Sequence, residues 1–403
     1  MKYFYLTLIL FTSQVLRAQR CETVVTPVIS NIMNYGANLT DGHTRDTIKN
    51  EVIIIPVVVH VLYNNSTQNI SDDQVISQIN VLNADYRRLN ADTTNTPDAF
   101  KNVAADSRIV FCLAKVDPDG YKTSGIVRKF TKEPLFLADD QMKHSNNGGD
   151  DAWDATKYLN IWVCNLFGRT LGYAQMPGGA LTTDGVVIKY TNFGNTGTVS
   201  VPYNKGRTAT HEIGHWLGLR HTWGDANCGD DGIDDTPTQQ AANTGCPNFP
   251  HVSSCSINGY GDMFMNFMDL SDDQCMNLFT NGQKREMRGL FARGNSKNTF
   301  LDNDLCDGSN AQAGPVYGGE VSNPLIQIYP NPVQDHFTIY STNAHLLQGK
   351  IVKIYSITGK LILTQILKSQ TSQIDLKVAS TGVYFLRIEG ADKPYIFKLI
   401  KTQ

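Results

Sequence analysis

One eleven-residue segment constrains this chain more than any other part of its sequence. Residues 211–221 read His-Glu-Ile-Gly-His-Trp-Leu-Gly-Leu-Arg-His. Histidines four residues apart lie one turn apart on the same face of a helix, so His211 and His215 can bind one metal ion. A glycine after such a helix adopts a left-handed conformation and turns the chain, which brings His221 in as a third ligand.

The same segment indicates a catalytic metal site. Three protein ligands leave one position of a tetrahedral zinc ion open, and zinc lowers the pKa of water there to about 7. Glu212 follows the first histidine, where a carboxylate can accept the proton of that water. His-Glu-x-x-His alone arises by chance on amphipathic helices, but the added Gly218 and His221 make chance a poor explanation. We therefore expect zinc on the three histidines and Glu212 as the general base.

Length and charge limit the class of protein. The chain has 403 residues, 41% of them hydrophobic and 18% charged, which suits two or three domains with proper cores. Its net charge of −3 gives no indication of a nucleic-acid partner. Lys2, the apolar run 4–11 and Ala18 predict a signal peptide over residues 1–18, and no later segment reaches membrane-spanning length. These features predict a secreted, extracellular protein without a membrane-spanning segment.

Eight cysteines follow the predicted signal peptide, and in an exported chain most are expected to form disulfides. Four of them lie between residues 228 and 275, in a segment rich in Gly, Asp and Asn that needs cross-links to hold its shape. Cys112 and Cys164 fall on predicted strands, where they either pair with each other or stay buried thiols. Cys306 has no assignable partner.

The first half of the chain combines strand patterns with one clear helix. Ser71 and Gln74 form a capping box, and apolar residues recur at helical spacing from Val75 to Tyr86. Apolar runs rich in β-branched or aromatic residues predict strands at 52–63, 109–116, 158–165 and 183–190. His60 lies inside the first run and is interpreted as a core histidine. The pattern predicts an α+β fold, a mixed sheet with helices packed on it.

A change in composition separates the last part of the chain. Residues 307–323 are rich in Gly, Ser and Asn and are interpreted as a linker. Residues 324–403 contain six or seven short strand patterns, divided by turns such as Asn331-Pro332 and Thr358-Gly359, and no helical pattern. This region therefore predicts a small all-β sandwich.

The zinc motif has Trp216 after its second histidine and continues as Thr222-Trp223-Gly224. With these residues the chain resembles the pappalysin family of metzincin metalloproteases, in particular its ulilysin- and mirolysin-like members, from about Cys21 to Cys275. The resemblance implies a secreted zinc endopeptidase that acts on protein or peptide substrates. It also implies a metzincin catalytic domain over residues 49–306, with a twisted mixed sheet and the active-site helix above the cleft and an irregular, disulfide-linked subdomain below it.

Further site residues follow from the resemblance alone. It assigns Met268, within Asn266-Phe267-Met268-Asp269, to the methionine turn beneath the zinc ligands. Leu270 stands where the family usually has a tyrosine that helps bind the substrate or its transition state, so oxyanion stabilisation must rest on the zinc and other donors. The two implied disulfides are Cys228–Cys255 and Cys246–Cys275. The implied structural calcium, which takes six to eight oxygens, is expected on the side chains of Asp231 and Asp235 and the backbone of Ile233 and Thr236.

The resemblance also implies latency and specificity. Arg20-Cys21, in the expected pro-segment 19–48, resembles the family motif in which a thiolate occupies the open zinc position. Glu22 departs from the usual glycine, and a disulfide between Cys21 and Cys306 is the alternative.

Asp273 matches the acidic residue at the floor of the family's S1′ pocket. A carboxylate there implies cleavage on the amino side of Arg or Lys, with Arg preferred, and self-activation before Arg45 or Lys49. A solvated loop aspartate is the alternative reading of Asp273.

The C-terminal region has a resemblance of its own. Tyr329-Pro330-Asn331-Pro332, Gly382-Val383-Tyr384 and the closing segment 397–401 resemble the sorting domain of type IX secretion. This implies the type IX machinery as a partner, usually with loss of the domain, and a carbohydrate-binding or adhesive sandwich is the alternative. For the whole chain, the rivals are an adhesin on a metzincin scaffold without significant proteolysis and a non-peptide metallohydrolase. Intact Glu212 argues against the first, and the family resemblance argues against the second.

Overall fold

The computed structural model describes residues 20–23, 51–256, 259–292, 294–302, 304–309, 311, 326–341, 346–389 and 395–402. The predicted signal peptide, the expected activation sites at Arg45 and Lys49, and most of the predicted linker lie outside these residues. No helix in the described part of the chain is long and apolar enough to cross a membrane.

A six-stranded sheet forms the centre of residues 51–311. Its strands are β1 (Ile53–Tyr63), β2 (Ile109–Leu113), β3 (Ile126–Phe130), β4 (Leu159–Cys164), β5 (Gly172–Ala174) and β6 (Val186–Lys189). The order is β2-β1-β4-β6-β5, with β3 also paired to β1. All pairs are parallel except β5 with β6, which leaves the antiparallel β5 at one edge. The mixed sheet predicted from the sequence is confirmed, although β3 and β5 are additions to it.

The described residues include four α-helices: α1 (Asp72–Tyr86), α2 (Asp98–Lys101), α3 (Arg207–Trp216) and α4 (Asn281–Gly289). The predicted start of α1 is confirmed, because the Ser71 side chain accepts a hydrogen bond from the Gln74 amide. The second half of the predicted capping box is wrong. The Gln74 side-chain amide instead donates to the carbonyl oxygens of Tyr190 and Phe193, so it fastens α1 to the loop after β6.

One apolar core joins β1, α1, α3 and the segment around Met268. Every residue of β1 except Ile54 is buried, as expected for a strand flanked by parallel neighbours on both sides. His60 is a satisfied core histidine, since its Nδ1 lies 2.8 Å from Asp150 Oδ2 and its Nε2 lies 3.0 Å from Asn160 Oδ1. This core fixes α3 against the sheet, below the edge strand β5.

Between α3 and α4 the described residues contain no regular helix or strand, and disulfides connect them instead. The bonds Cys228–Cys255 and Cys246–Cys275 are the two pairs that the resemblance implied.

A third disulfide corrects two sequence predictions, because it joins Cys112 to Cys306. Cys112 therefore does not pair with Cys164, since β1 lies between β2 and β4, and Cys164 is a buried thiol. The alternative pairing of Cys21 with Cys306 is likewise wrong, because Cys21 is not in a disulfide.

Residues 326–402 form the all-β sandwich predicted from the sequence. The described strands are β7 (Gln327–Tyr329), β8 (His336–Tyr340), β9 (Ile351–Ser356), β10 (Leu361–Ile366), β11 (Thr371–Asp375), β12 (Gly382–Ile388) and β13 (Tyr395–Lys401). They form one sheet in the order β10-β9-β12-β13 and another in the order β11-β8-β7, over a shared apolar core. Strand β11 was not predicted, because Ile374 is its one buried apolar residue.

Candidate active site

Helix α3 and the turn after it bring the three predicted histidines together. His211 and His215 lie on one face of the helix, which ends at Trp216. Gly218 has φ 87°, a conformation that side chains disfavour, and it returns the chain so that His221 meets the other two. The Nε2 atom of His215 lies 3.1 Å from the Nε2 atoms of both His211 and His221. All three rings are buried, with His221 5% exposed.

The other ring nitrogen of each histidine is already engaged. Nδ1 of His211 lies 2.7 Å from the carbonyl oxygen of Phe267, and Nδ1 of His215 lies 2.8 Å from that of Leu219. Nδ1 of His221 lies 2.5 Å from a carboxylate oxygen of Asp225. Such partners orient a metal-binding imidazole and direct its Nε2 lone pair toward the ion. Asp225 was not predicted, because an acidic residue four positions after a histidine carries no specific signal.

The donor set fits a zinc ion. One ligand atom each from Cys21, His211, His215 and His221 lies within 4.8 Å of the others, the one such group of three or more found among the described residues. Burial lowers the pKa of His211 and of His215 well below the usual value, so both are neutral imidazoles with a lone pair available. Three nitrogens and a sulfur in this arrangement suit tetrahedral zinc.

Glu212 lies beside the histidines and is fully buried. Its Oε2 accepts hydrogen bonds from the Thr23 hydroxyl at 2.9 Å and the Cys21 thiol at 3.4 Å. Its Oε1 has no hydrogen-bond partner within the described parts of the chain. Burial raises the pKa of Glu212 to about 8, and a bound dication would oppose this rise.

Met268 packs against the helix that carries the histidines. A Cβ atom at Gly214 would collide with the Met268 sulfur, so only glycine allows this approach. The Met268 carbonyl accepts from the Thr222 amide at 3.3 Å, which ties the methionine to the residue after His221. Leu270 is half-buried, and as a leucine it has no hydroxyl to offer the site.

Residues 20–23 lie along the edge strand β5. Cys21 forms a parallel bridge with Gly172, and the Glu22 amide donates to the Gly172 carbonyl at 3.3 Å. The Thr23 hydroxyl accepts from the Ala174 amide at 2.9 Å. Burial and the nearby Glu212 charge raise the pKa of the Cys21 thiol, and a bound dication would oppose both effects. The edge strand thus presents Cys21 to the histidines.

Asp273 is fully buried, so the alternative of a solvated loop aspartate is wrong. Its Oδ1 lies 2.8 Å from Nη2 of Arg20, in an ion pair between two buried side chains. Its Oδ2 accepts from the backbone amides of Lys205 at 2.8 Å and Arg207 at 3.2 Å, and thereby caps the N-terminus of α3. One carboxylate therefore binds a cation and holds the zinc-binding helix.

Arg207 holds the segment that contains Asp273 and was not predicted from the sequence. Its Nη1 donates to the carbonyl oxygens of Asp273 and Met276, both at 2.8 Å. It also pairs with Asp85 at 3.1 Å and Asp92 at 2.6 Å. Burial raises the pKa of Asp85 to about 6, although Arg207 opposes the rise. The ion cluster fixes the loop that contains Asp273 to the start of α3.

The predicted calcium loop surrounds a cavity of about 240 Å³. Asp231 is 3% exposed, and its Oδ2 lacks a hydrogen-bond partner in the described residues. Burial raises the pKa of Asp231 to about 7. Ile233 and Thr236 also line the cavity, but Asp235 does not. The Asp235 carboxylate instead accepts from the Thr280 hydroxyl and the Gly282 amide, at the start of α4.

This chain is similar in sequence and in structure to known proteins. Residues 143–292 match the peptidase M43 family, described as pregnancy-associated plasma protein-A, and residues 327–402 match the secretion system C-terminal sorting domain. An extracellular metalloprotease of Arthroderma gypseum is 30% identical over 299 residues, which cover 71% of this chain and 89% of that protein.

Two solved structures of Tannerella forsythia proteins are also similar. Mature mirolysin in complex with a cleaved peptide is 52% identical, with a TM-score of 0.63, over 64% of this chain and 99% of that one. A promirolysin mutant is 47% identical, with a TM-score of 0.67, over 72% of this chain and 100% of that one.

These similarities confirm the metzincin fold and the sorting domain that the sequence predicts. The matched region contains His211, His215, His221 and Glu212, and the Arthroderma gypseum metalloprotease is covered over 89% of its length. A secreted metalloendopeptidase is what such a chain encodes. This protein therefore belongs to the peptidase M43 family.

Proposed function

We propose that this secreted metalloendopeptidase cleaves peptide bonds on the amino side of Arg or Lys and is held latent by its own residues 20–23. The observation that carries the proposal is the Arg20 guanidinium on Asp273, next to Cys21 at the histidine cluster. We call the space that Arg20 occupies the P1′ pocket, since in our proposal the substrate residue after the scissile bond takes its place.

The catalytic roles follow from the geometry around α3. His211, His215 and His221 would hold the zinc, above Met268. Zinc bound there supplies an acidified water and a Lewis acid for the scissile carbonyl. Glu212, which lies beside the histidines, would accept a proton from that water and return it to the leaving amine.

Latency arises because residues 20–23 occupy each part of the site at once. Arg20 fills the P1′ pocket, Cys21 reaches the histidines, and Thr23 donates to Glu212 at 2.9 Å. The backbone of the same residues covers β5, the edge to which an extended substrate would bind. Removal of this segment would free the pocket, the base and the edge strand together.

Specificity for a basic residue follows from Asp273. Its Oδ1 meets a cation in a buried pocket, where an uncharged partner would leave the carboxylate unpaired at a large cost in free energy.

Two further parts of the proposal concern stability and export. The unpartnered Asp231 Oδ2, with oxygen atoms of Ile233 and Thr236 beside it, supports a structural calcium in the adjoining cavity.

The sorting domain implies the type IX secretion machinery as a partner. We further propose a signal peptide at 1–18, a pro-segment at 19–48, a catalytic domain at 49–306, a linker at 307–323 and a removable sorting domain at 324–403.

The test of specificity is a cleavage profile on a proteome-derived peptide library with activated wild-type enzyme and Asp273→Asn. Wild type should cut mainly before Arg and Lys. Asparagine removes the charge but retains an oxygen for the Lys205 amide, so the variant should lose the preference about 10- to 100-fold and remain active. Asp273→Ala is the matched control that also removes the helix cap. A wild-type profile dominated by apolar residues after the scissile bond would contradict the proposal.

A further inference from the structure

The P1′ pocket offers the Arg20 side chain more than a carboxylate. Arg20 is 1% exposed, and its Nη2 pairs with Asp273 while its Nη1 donates to the carbonyl oxygen of Ser271. The Cζ atom of Arg20 also lies 5.0 Å from the centroid of the Tyr203 ring. Tyr203 has no role predicted from the sequence, yet its ring forms one wall of the space that this cation fills.

The loop between β6 and α3 holds Tyr203 in place. Its backbone amide donates to the Ser200 carbonyl, and its own carbonyl accepts from the Asn192 side chain, both at 3.2 Å. The side chain is half-buried, and burial raises the pKa of its hydroxyl although Arg20 opposes the rise. The ring is thus a neutral, fixed surface at the side of the pocket.

The polar groups of the pocket favour arginine only in part. The two Nη atoms of Arg20 reach Asp273 and Ser271 separately, which suits the guanidinium fork, but a carboxylate and a carbonyl oxygen also accept hydrogen bonds from an ammonium. A guanidinium is flat and weakly hydrated on its faces, so it stacks on an aromatic ring, whereas an ammonium is compact and strongly hydrated. The Tyr203 ring is therefore the wall of the pocket that distinguishes the two by shape.

We propose that Tyr203 is a specificity-determining residue that strengthens the preference of the pocket for Arg over Lys. The proposal rests on the proposed function, because it requires the substrate side chain to take the place of Arg20. Asp273 then selects for positive charge, and Tyr203 selects among cations for the flat one.

The test uses activated enzyme and three quenched fluorescent peptides that differ only in Arg, Lys or Ala after the scissile bond. Tyr203→Leu removes the ring, and Tyr203→Phe is the matched control that keeps the ring and removes the hydroxyl. Tyr203→Leu should lower the Arg-to-Lys ratio of kcat/KM about 2- to 30-fold, the range of a cation–π contact. Tyr203→Phe should keep the wild-type ratio. If the leucine variant does not fold, Tyr203→Gln removes the ring with a side chain suited to a half-exposed position.

The outcomes separate this inference from the proposed function. If removal of the ring leaves the Arg-to-Lys ratio unchanged while both basic peptides still exceed the Ala peptide, the role of Tyr203 is wrong and the P1′ preference stands. If wild-type enzyme cleaves all three peptides equally, the P1′ preference itself is wrong. A fall in the ratio with Tyr203→Phe as large as with Tyr203→Leu would show that the hydroxyl, not the ring face, makes the distinction.

Discussion

The two sides of the active site are stabilised in different ways. Residues 51–216, the upper region, are ordered by a ladder of mostly parallel strands that packs on the main apolar core. Residues 217–311, the lower region, contribute to the same core but have no regular element before α4. Disulfides and buried carboxylates that accept backbone amides, such as Asp269 and Asp273, hold their irregular segments. In our proposal the upper region provides Glu212 and two zinc ligands, and the lower region provides His221 and most of the P1′ pocket. Peptide-bond hydrolysis thus depends mainly on residues of the upper region, and selection of the substrate side chain depends mainly on residues of the lower region.

The largest expected effect concerns chemistry in the upper region. Glu212→Ala removes the general base, so kcat/KM should fall by about 10²- to 10⁴-fold on a protein substrate. Zinc content and melting temperature should stay near wild type, since Glu212 is not one of the proposed zinc ligands in α3. Turnover at the wild-type rate with equal zinc content would contradict the assigned role of this carboxylate.

The next effect tests how far the lower region depends on cross-links. Replacing Cys246 and Cys275 by serine opens a loop with a sequence separation of 29 residues. The chain-entropy relation gives a loss of about 3–4 kcal/mol in the free energy of unfolding, measured by denaturant titration. Cys164→Ala, which alters a buried thiol in the upper region, is the control and should cost less. An equal loss in both would mean that the two regions do not differ in this respect.

Calcium should act on the lower region alone. Added calcium should raise the melting temperature of the wild type, because an ion at about 100 times its dissociation constant contributes about 2.7 kcal/mol. Asp231→Asn should abolish this response. Asp235→Asn, the matched control, should lower the starting melting temperature through the weakened α4 cap and keep the response to calcium. A response lost in the Asp235 variant and kept in the Asp231 variant would reverse our assignment.

The smallest effect concerns a lysine by which the lower region contacts the upper one. Lys297 is 3% exposed, and its Nζ lies 3.5 Å from the Trp216 ring centroid and 3.6 Å from Asp184. Burial lowers the pKa of Lys297 from 10.5 to about 8. Between pH 8 and pH 10.5, Lys297 carries its proton in the unfolded chain but has largely lost it in the folded protein. Raising the pH within this range therefore increases the free energy of unfolding.

The stability of wild type relative to Lys297→Met should therefore rise by about 2 kcal/mol between pH 8 and pH 10. Denaturant titrations of both proteins across this range measure it. A difference that stays flat would mean that Lys297 keeps its proton in the fold.

The regional difference also explains what the sequence could predict. Strand β1 is a nearly continuous apolar run of eleven residues, and helix α1 has apolar residues at helical spacing over fifteen residues. Both elements can therefore be predicted from the sequence pattern alone. The histidine motif is local, and spacing along one helix and turn places its three rings. Strands β3 and β5 could not be predicted from the sequence, because β3 contains Arg128 and Lys129 and β5 is only three residues long.

What the sequence could not provide are contacts between residues far apart in the chain. Cys112 and Cys306 are separated by 194 residues, and no local pattern links them. Arg207 finds Asp85, Asp92 and the carbonyl of Asp273 only after the chain has folded. The same holds for Tyr203 against Arg20. Asp273 was recognised by resemblance, but its second bond, to the start of α3, required the structure.

That second bond bears on how such an enzyme changes its substrate over evolutionary time. One oxygen of Asp273 meets the cation, and the other holds the amides of Lys205 and Arg207 at the beginning of the zinc-binding helix. Replacement of Asp273 by a residue without a side-chain acceptor would weaken the catalyst before any new preference appeared, unless another acceptor had already arisen nearby. The double role of Asp273 therefore opposes evolutionary loss of the preference for basic residues. Directed evolution of a new specificity should randomise residues 203–207 together with position 273.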